Sequence, residues 1–249
     1  MTTAIRQRRV VECMGTVFSF DVRSPQKYES VLDDAVRWLD WVDTTFSTYR
    51  STSDIRRLAA GEVTLEDCAP EVGEILRTCE LLSAKTAGYF SAYAGGALDP
   101  SGLVKGWAIE RASDLLVAAG STYHCVNGGG DVQCVGDPQA GQVWRVGIAH
   151  PLHLGKLASV VVGSRLAVAT SGTAERGGHV LDPHTGKPAH GLASVTVAGT
   201  CLGRTDAFAT AACAMGSQAR DWLEELPGHY GFGIDNDGTT WATSGWGLP

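Results

Sequence analysis

Apolar residues recur at helical spacing in three long segments of the chain and at strand-like spacing in many shorter ones. Val31, Ala35, Trp38, Leu39, Val42 and Phe46 fall three and four apart, the signature of an amphipathic helix. Ser24-Pro25 ahead of them reads as an N-cap followed by proline at the first helical position. A second helix opens at Pro70, buries Val72, Ile75, Leu76, Cys79 and Leu82, and ends at Gly88. The stretch 47–62 between them is polar and predicts a loop with a short helix. A third helix is predicted from about Val104 to Ala119, stopping at Gly120, after an irregular Gly-rich stretch at 89–102.

The rest of the pattern is mostly β. Val10, Val11, Val17, Phe18 and Phe20 predict a strand pair or one long strand over 9–21. Further strands are predicted at 124–126, 132–135, 144–149, 157–162, 166–170 and 194–198. Helices follow at 205–215 and 218–226, and a hairpin at 231–243 turns on Asp235-Asn236-Asp237-Gly238. No linker and no repeat of fixed period interrupts the chain. The strand spacing in the second half suits antiparallel meanders better than βαβ units. The expectation is one α+β domain over residues 1–249, a mixed, mostly antiparallel sheet or sheets flanked by helices.

Composition narrows the class. The 249 residues carry a formal net charge of -7, with 44% hydrophobic and 19% charged residues, an ordinary globular balance. No run of Lys or Arg stands out, which argues against nucleic acid as the main partner. Seven cysteines without a Cys-x-x-Cys pair read as reduced structural thiols, not a disulfide framework or zinc site. No apolar signal core follows Met1, and no 18-residue apolar stretch occurs. A cytoplasmic protein with no membrane span is expected.

Four segments carry candidate chemistry. Asp206 and Thr210 lie one helical turn apart, so their oxygens share a face, and a carboxylate with a hydroxyl suits a hard cation such as Mg²⁺. The other reading is a helix start with Thr205 as cap and Asp206 in its first turn. Asp99-Pro100-Ser101-Gly102-Leu103-Val104-Lys105-Gly106 stands at a helix mouth, where N–H groups and Lys105 favour a phosphate; a plain loop with a surface lysine fits equally. In His179-Val180-Leu181-Asp182-Pro183-His184-Thr185-Gly186-Lys187-Pro188 the Asp-Pro-x-Thr-Gly run is turn chemistry. His179 alone reads as a structural histidine. Asn127-Gly128-Gly129-Gly130-Asp131 is either a ligand-facing turn or a hairpin turning on Asn-Gly. Asp235 to Gly238 lacks the rest of a calcium loop, and Ser171 lacks the Gly-x-Ser-x-Gly elbow.

The order of these segments is more telling than any one of them. Met14-Gly15-Thr16, Phe46-Ser47-Thr48-Tyr49-Arg50, 99–106, 127–131, Thr170-Ser171-Gly172, 179–188 and Ser194-Val195-Thr196-Val197 leading to Asp206-Ala207-Phe208-Ala209-Thr210 together resemble the FAD:protein FMN transferases, the ApbE-type flavin transferases. The resemblance covers nearly the whole chain. It implies a fold related to the T-fold and the transfer of FMN from FAD to a Thr or Ser hydroxyl of an acceptor protein, with AMP released. It implies a metal site of Asp206, Ala209 and Thr210, with a backbone carbonyl from Gly102, taking Mg²⁺ or Mn²⁺. It also implies an FAD pocket lined by Met14, Tyr49, Tyr89, Phe90, Ser91, Asp99, Lys105 and Leu181.

The catalytic set carried over is Asp206, Lys105, Glu175 and His179, the last two as alternative bases. The chain departs from the family at Ser91, where an acid is usual, at Pro100-Ser101, and at Thr173-Ala174-Glu175-Arg176. Two alternatives use the same residues: a metal-dependent FAD pyrophosphatase giving FMN and AMP, and a non-catalytic FAD-binding protein.

Overall fold

The computed structural model describes residues 5–137, 140–172 and 180–247. Its centre is an eight-stranded sheet in the order β1-β2-β3-β4-β7-β10-β11-β12. The strands are β1 (Ile5–Cys13), β2 (Thr16–Ser24), β3 (His124–Gly128), β4 (Asp131–Val135), β7 (Arg165–Gly172), β10 (Leu192–Gly199), β11 (Tyr230–Asp235) and β12 (Thr240–Ala242). Every pairing in it is antiparallel. Two short ribbons, β5 (Trp144–Ala149) with β6 (Leu157–Gly163) and β8 (Leu181–Asp182) with β9 (Lys187–Pro188), leave the sheet between β4 and β7 and between β7 and β10. The α+β reading, a mostly antiparallel sheet with helices packed on it, holds.

Side-chain alternation lets the sheet face two cores. Phe18 and Phe20, Ala167 and Ala169, and Val195 and Val197 pack with the helices. Val132 and Cys134, Leu166 and Val168, and Phe232 and Ile234 pack on the other face beneath the β5–β6 ribbon. The same alternation turns Asp131 and Gln133 toward the helices, where polar groups must find partners.

The helices are α1 (Glu29–Phe46), α2 (Asp54–Ala59), α3 (Pro70–Lys85), α4 (Ser101–Ala118), α5 (Leu202–Met215) and α6 (Ala219–Glu224). α4 and α5 pack on each other and on the sheet, with α1 behind α4. None of the helices described is long and apolar enough to cross a membrane.

Several boundaries differ from expectation. Ser24 and Pro25 do not start α1: β2 stays paired as far as Ser24, opposite Ile5, and the residue before a proline favours extended backbone. α1 begins at Glu29 instead. α4 begins at Ser101, ahead of Val104, with the Asp99 carboxylate accepting from Ser101 N–H at 2.9 Å. The turn of the β3–β4 hairpin is Gly129-Gly130, with φ of +61° and +97°, and not Asn127-Gly128. Two left-handed central residues match the strand twist, and glycine takes them without strain.

His124, at the start of β3, is fully buried between the Ser113 and Ser121 hydroxyls, at 2.8 and 2.9 Å. Burial, partly offset by Ser113, pushes its pKa from 6.5 down to about 4. The unfolded chain therefore takes up a proton that the folded one refuses. Stability is full above pH 6.5 and is lost as pH falls toward 4, by about 3 kcal/mol in all. Urea denaturation at pH 7 and pH 5 should show that loss in the native chain. A His124→Gln variant should be less stable at pH 7 and should lose less on acidification.

Candidate functional site

α4 and α5 approach closely because α4 is notched. Gly102 and Gly106 lie one turn apart on the face toward α5. A Cβ on Gly106 would sit 2.7 Å from both the Asp206 Cβ and the Leu202 carbonyl oxygen. One on Gly102 would meet the Phe90 ring at 3.2 Å and the Thr210 Oγ1 at 3.4 Å. The glycines, with the alanines of α5, bring backbone against side chain.

Asp206 is therefore not a first-turn residue under a Thr205 cap. α5 starts at Leu202. Its first N–H groups are taken by side chains from neighbouring elements: Leu202 donates to Gln133 Oε1 at 3.1 Å and Gly203 to Glu110 Oε2 at 2.8 Å. The Thr205 hydroxyl donates back to the Cys201 carbonyl at 2.8 Å. The capping reading of Asp206 fails, because packing extends the helix by a turn beyond what the sequence pattern marks.

The Asp206 carboxylate is buried, and its Oδ2 accepts from the Gly106 N–H at 3.0 Å and from the Lys105 Nζ at 2.9 Å. Lys105 also bonds Asp131 Oδ2. The second oxygen of Asp131 accepts from the Thr170 N–H at 3.0 Å, and the Thr170 and Thr196 hydroxyls meet at 2.9 Å. Asp131 is 3% exposed. One ammonium thus joins two buried carboxylates and ties α4 to β4 and α5.

Both bonds to Asp206 described here use Oδ2, and Thr210 lies one turn on along the same helix face. No group of three or more His, Cys, Asp or Glu able to hold a metal occurs among the described residues. A cation here would draw on one carboxylate, one hydroxyl and the backbone carbonyls near Gly102. That oxygen-only set fits a hard divalent ion. Ala209, wholly buried, has only its carbonyl to give.

The other predicted residues disperse around this cluster. Phe90, buried, packs under Gly102. Leu181 lies against Gly95. Asp182 closes the β8–β9 turn, accepting from the His184 N–H at 2.9 Å and the Thr185 hydroxyl at 3.0 Å. Tyr89 faces the His184 ring at 4.6 Å and accepts from Gln218 at 3.3 Å. The Ser91 hydroxyl is used locally by the Tyr93 N–H at 3.0 Å. Met14 occupies the tight β1–β2 turn with φ of +49°. Tyr49 is 97% exposed. Glu175 and His179 lie outside the described residues. Two surface cavities of about 350 Å³, one beside Tyr89 and Trp222 and one beside Pro227 and His229, are lined by none of Lys105, Asp131 or Asp206.

Asp131 and Gly106 fall inside two of the candidate segments, but the sequence assigns neither a role of its own. Gly106 had a signal, its four-residue spacing from Gly102; the link from Asp131 to Lys105 had none.

Residues 14–97 and 91–232 match the model of the ApbE family. The chain belongs to the ApbE family. Curated relatives include a FAD:protein FMN transferase of Rhodobacter capsulatus, 31% identical over 231 residues, a match that covers 86% of this chain and 41% of the relative. One of Vibrio cholerae is 29% identical over 131 residues, 49% of this chain and 39% of the relative. The matched stretches cover well under half the length of those relatives. Among solved structures, the apo flavinyl transferase ApbE of Pseudomonas stutzeri aligns with a TM-score of 0.84 at 22% identity, over 98% of this chain and 97% of that one. The ApbE protein of Thermotoga maritima aligns with a TM-score of 0.86 at 19% identity, over 96% and 97%. The fold is shared along nearly the full length.

If Lys105 is the bond between two buried acids, its loss should hurt more than the loss of either acid's charge. Lys105→Met strands two carboxylates, and about 3 kcal/mol or more of stability should go. Asp131→Asn keeps an acceptor for Thr170 and leaves Lys105 with Asp206, so roughly 1–2 kcal/mol is expected after solvent screening of the partly exposed lysine. Chemical denaturation of the two variants checks the order; equal losses would contradict it.

Proposed function

We propose that this ApbE chain is a FAD:protein FMN transferase that moves FMN from FAD to a Thr or Ser hydroxyl of an acceptor protein and releases AMP. The observation that carries this reading is the Lys105–Asp206 contact beside Thr210 and Gly102, in a chain of a family whose curated relatives bear that name. Asp206 through Oδ1, the Thr210 hydroxyl, and the Gly102 and Ala209 carbonyls would hold Mg²⁺ or Mn²⁺. When bound there, the ion supplies Lewis-acid neutralisation of the FAD pyrophosphate.

The chain's own residues do the rest. The Gly106 N–H and Lys105 hold Asp206 by Oδ2, so its other oxygen would be the one left to a cation. Lys105 has three donors. Two go to Asp131 and Asp206, and the third is available to a phosphate oxygen. The N-terminal end of α4 adds its partial positive charge to the same place. Charge placed before substrate arrives lowers the barrier to phosphoryl-type transfer without reorganisation. The acceptor hydroxyl must lose a proton as it attacks the FMN phosphorus, and Glu175 or His179 takes it in this proposal. Phe90, Leu181, Tyr89, Met14, Asp99, Tyr49 and Ser91 would line the path of the dinucleotide.

The test is mass spectrometry of candidate acceptors after incubation with the protein, FAD and Mg²⁺. A flavinylated Thr or Ser peptide and an equal amount of AMP are expected. Asp206→Asn, which keeps an acceptor for Gly106 but loses the charge, should reduce both by at least about 100-fold. FMN release without any acceptor adduct would make the protein a pyrophosphatase, and tight FAD binding without AMP would make it a carrier. Full activity in Asp206→Asn would remove the metal assignment.

A further inference from the structure

The face of the β3–β4 hairpin away from Lys105 carries two thiols that the proposed chemistry does not use. Cys125 and Cys134 are direct cross-strand partners, and their sulfurs are 3.1 Å apart. All seven cysteines are free thiols. Among the described residues this is the pair in sulfur-to-sulfur contact.

The register explains the contact. The two-residue turn Gly129-Gly130 makes Gly128 and Asp131 a hydrogen-bonded pair. Pairs alternate along an antiparallel ladder. Counting outward, Asn127–Val132 is non-hydrogen-bonded, Val126–Gln133 is bonded, and Cys125–Cys134 is non-bonded again. Such pairs have Cα atoms about 4.5 Å apart with side chains close on one face, inside the range a disulfide requires. The sulfurs need to close by only about 1 Å.

We infer that Cys125 and Cys134 form a dithiol modification site that takes a low-molecular-weight disulfide and closes into a cross-strand disulfide. Cys134 is wholly buried and Cys125 partly open, so the order of events follows. Cys125 sulfur attacks the small disulfide, forming a mixed disulfide and releasing one thiol that carries away the Cys125 proton. Cys134 sulfur then attacks the Cys125 sulfur and expels the second small thiol, which takes the Cys134 proton. Two protein thiols are oxidised and one small disulfide is reduced to two thiols. The hydrogen bond that Cys134 donates to Cys125, then burial, push the Cys134 thiol up, which disfavours it as the first thiol to attack; its contact with the Cys125 sulfur leaves it the second, intramolecular step. Asp21 stands beside Cys125 on β2, with Arg6 and Arg23 paired to it, and Trp144 packs over the same face.

The test equilibrates the full chain in glutathione buffers of graded oxidised-to-reduced ratio, followed by acid quench, alkylation and peptide mapping. A Cys125–Cys134 cross-linked peptide, lighter by two hydrogens, should rise with the oxidised fraction while the other five thiols stay alkylatable. Cys134→Ala should trap glutathione on Cys125, whereas Cys125→Ala should leave Cys134 unmodified. If both thiols of the native chain remain alkylatable in the most oxidising buffer, or if Cys134 takes glutathione as readily as Cys125, the inference is overturned.

Discussion

One ammonium group held between two buried carboxylates organises the helical side of this molecule. Removing Asp131 and Asp206 from water is expensive, and the Lys105 contacts and backbone N–H donors are what offset it. Each partner comes from a different element: Lys105 from α4, Asp131 from β4, Asp206 from α5. The interaction therefore fixes how α4 lies across the sheet and how α5 lies beside α4. With all three groups ionised the cluster keeps a net negative charge, against an oxygen of Asp206 that the described bonds leave open.

The notch at Gly102 and Gly106 makes that geometry reachable. A methyl group at Gly106 would overlap Asp206 and the Leu202 carbonyl at 2.7 Å, so a side chain there would push the helices apart and lengthen the Lys105 and Gly106 bonds together. The two polar side chains that satisfy the start of α5, Gln133 and Glu110, set its position along its axis. Distance and axial register of the helix pair are thus fixed by separate residues, and Asp206 and Thr210 face α4 as a consequence.

What the sequence discloses of this arrangement is its local part. Asp206 and Thr210 share a helix face by spacing alone, and Gly102 and Lys105 fall near one helix start; these needed only the 3.6-residue period. Most strands followed from β-branched and aromatic runs. Ser24-Pro25 misled because cap chemistry is local, while the pairing of Ser24 with Ile5 is not. Thr205 misled similarly: an apt capping residue followed by an acid looks like a helix start, but Gln133 and Glu110, distant in sequence, let α5 begin a turn earlier. Asp131 was invisible because its partner is reached only after α4 has packed on the sheet. Setting the turn at Gly129-Gly130 instead of Asn127-Gly128 fixes the strand register, and with it the opposition of Cys125 to Cys134.

Asp131 has a second constraint that links the cluster to the rest of the chain. β4 pairs with β7 only as far as Val132 opposite Val168, because the chain reverses at Gly130 just beyond. β7 runs on to Gly172 against β10, so the Thr170 N–H reaches past the last rung of β4. The Asp131 carboxylate takes that N–H with one oxygen and Lys105 with the other. A side chain completes the ladder where the backbone has turned away. The end of β7 leads directly into 173–179, the segment of Glu175 and His179. Thr170, two residues before the end of β7, is held by the same carboxylate that holds Lys105. Any change in that carboxylate's charge acts at once on the ammonium beside Asp206 and on the Thr170 end of β7.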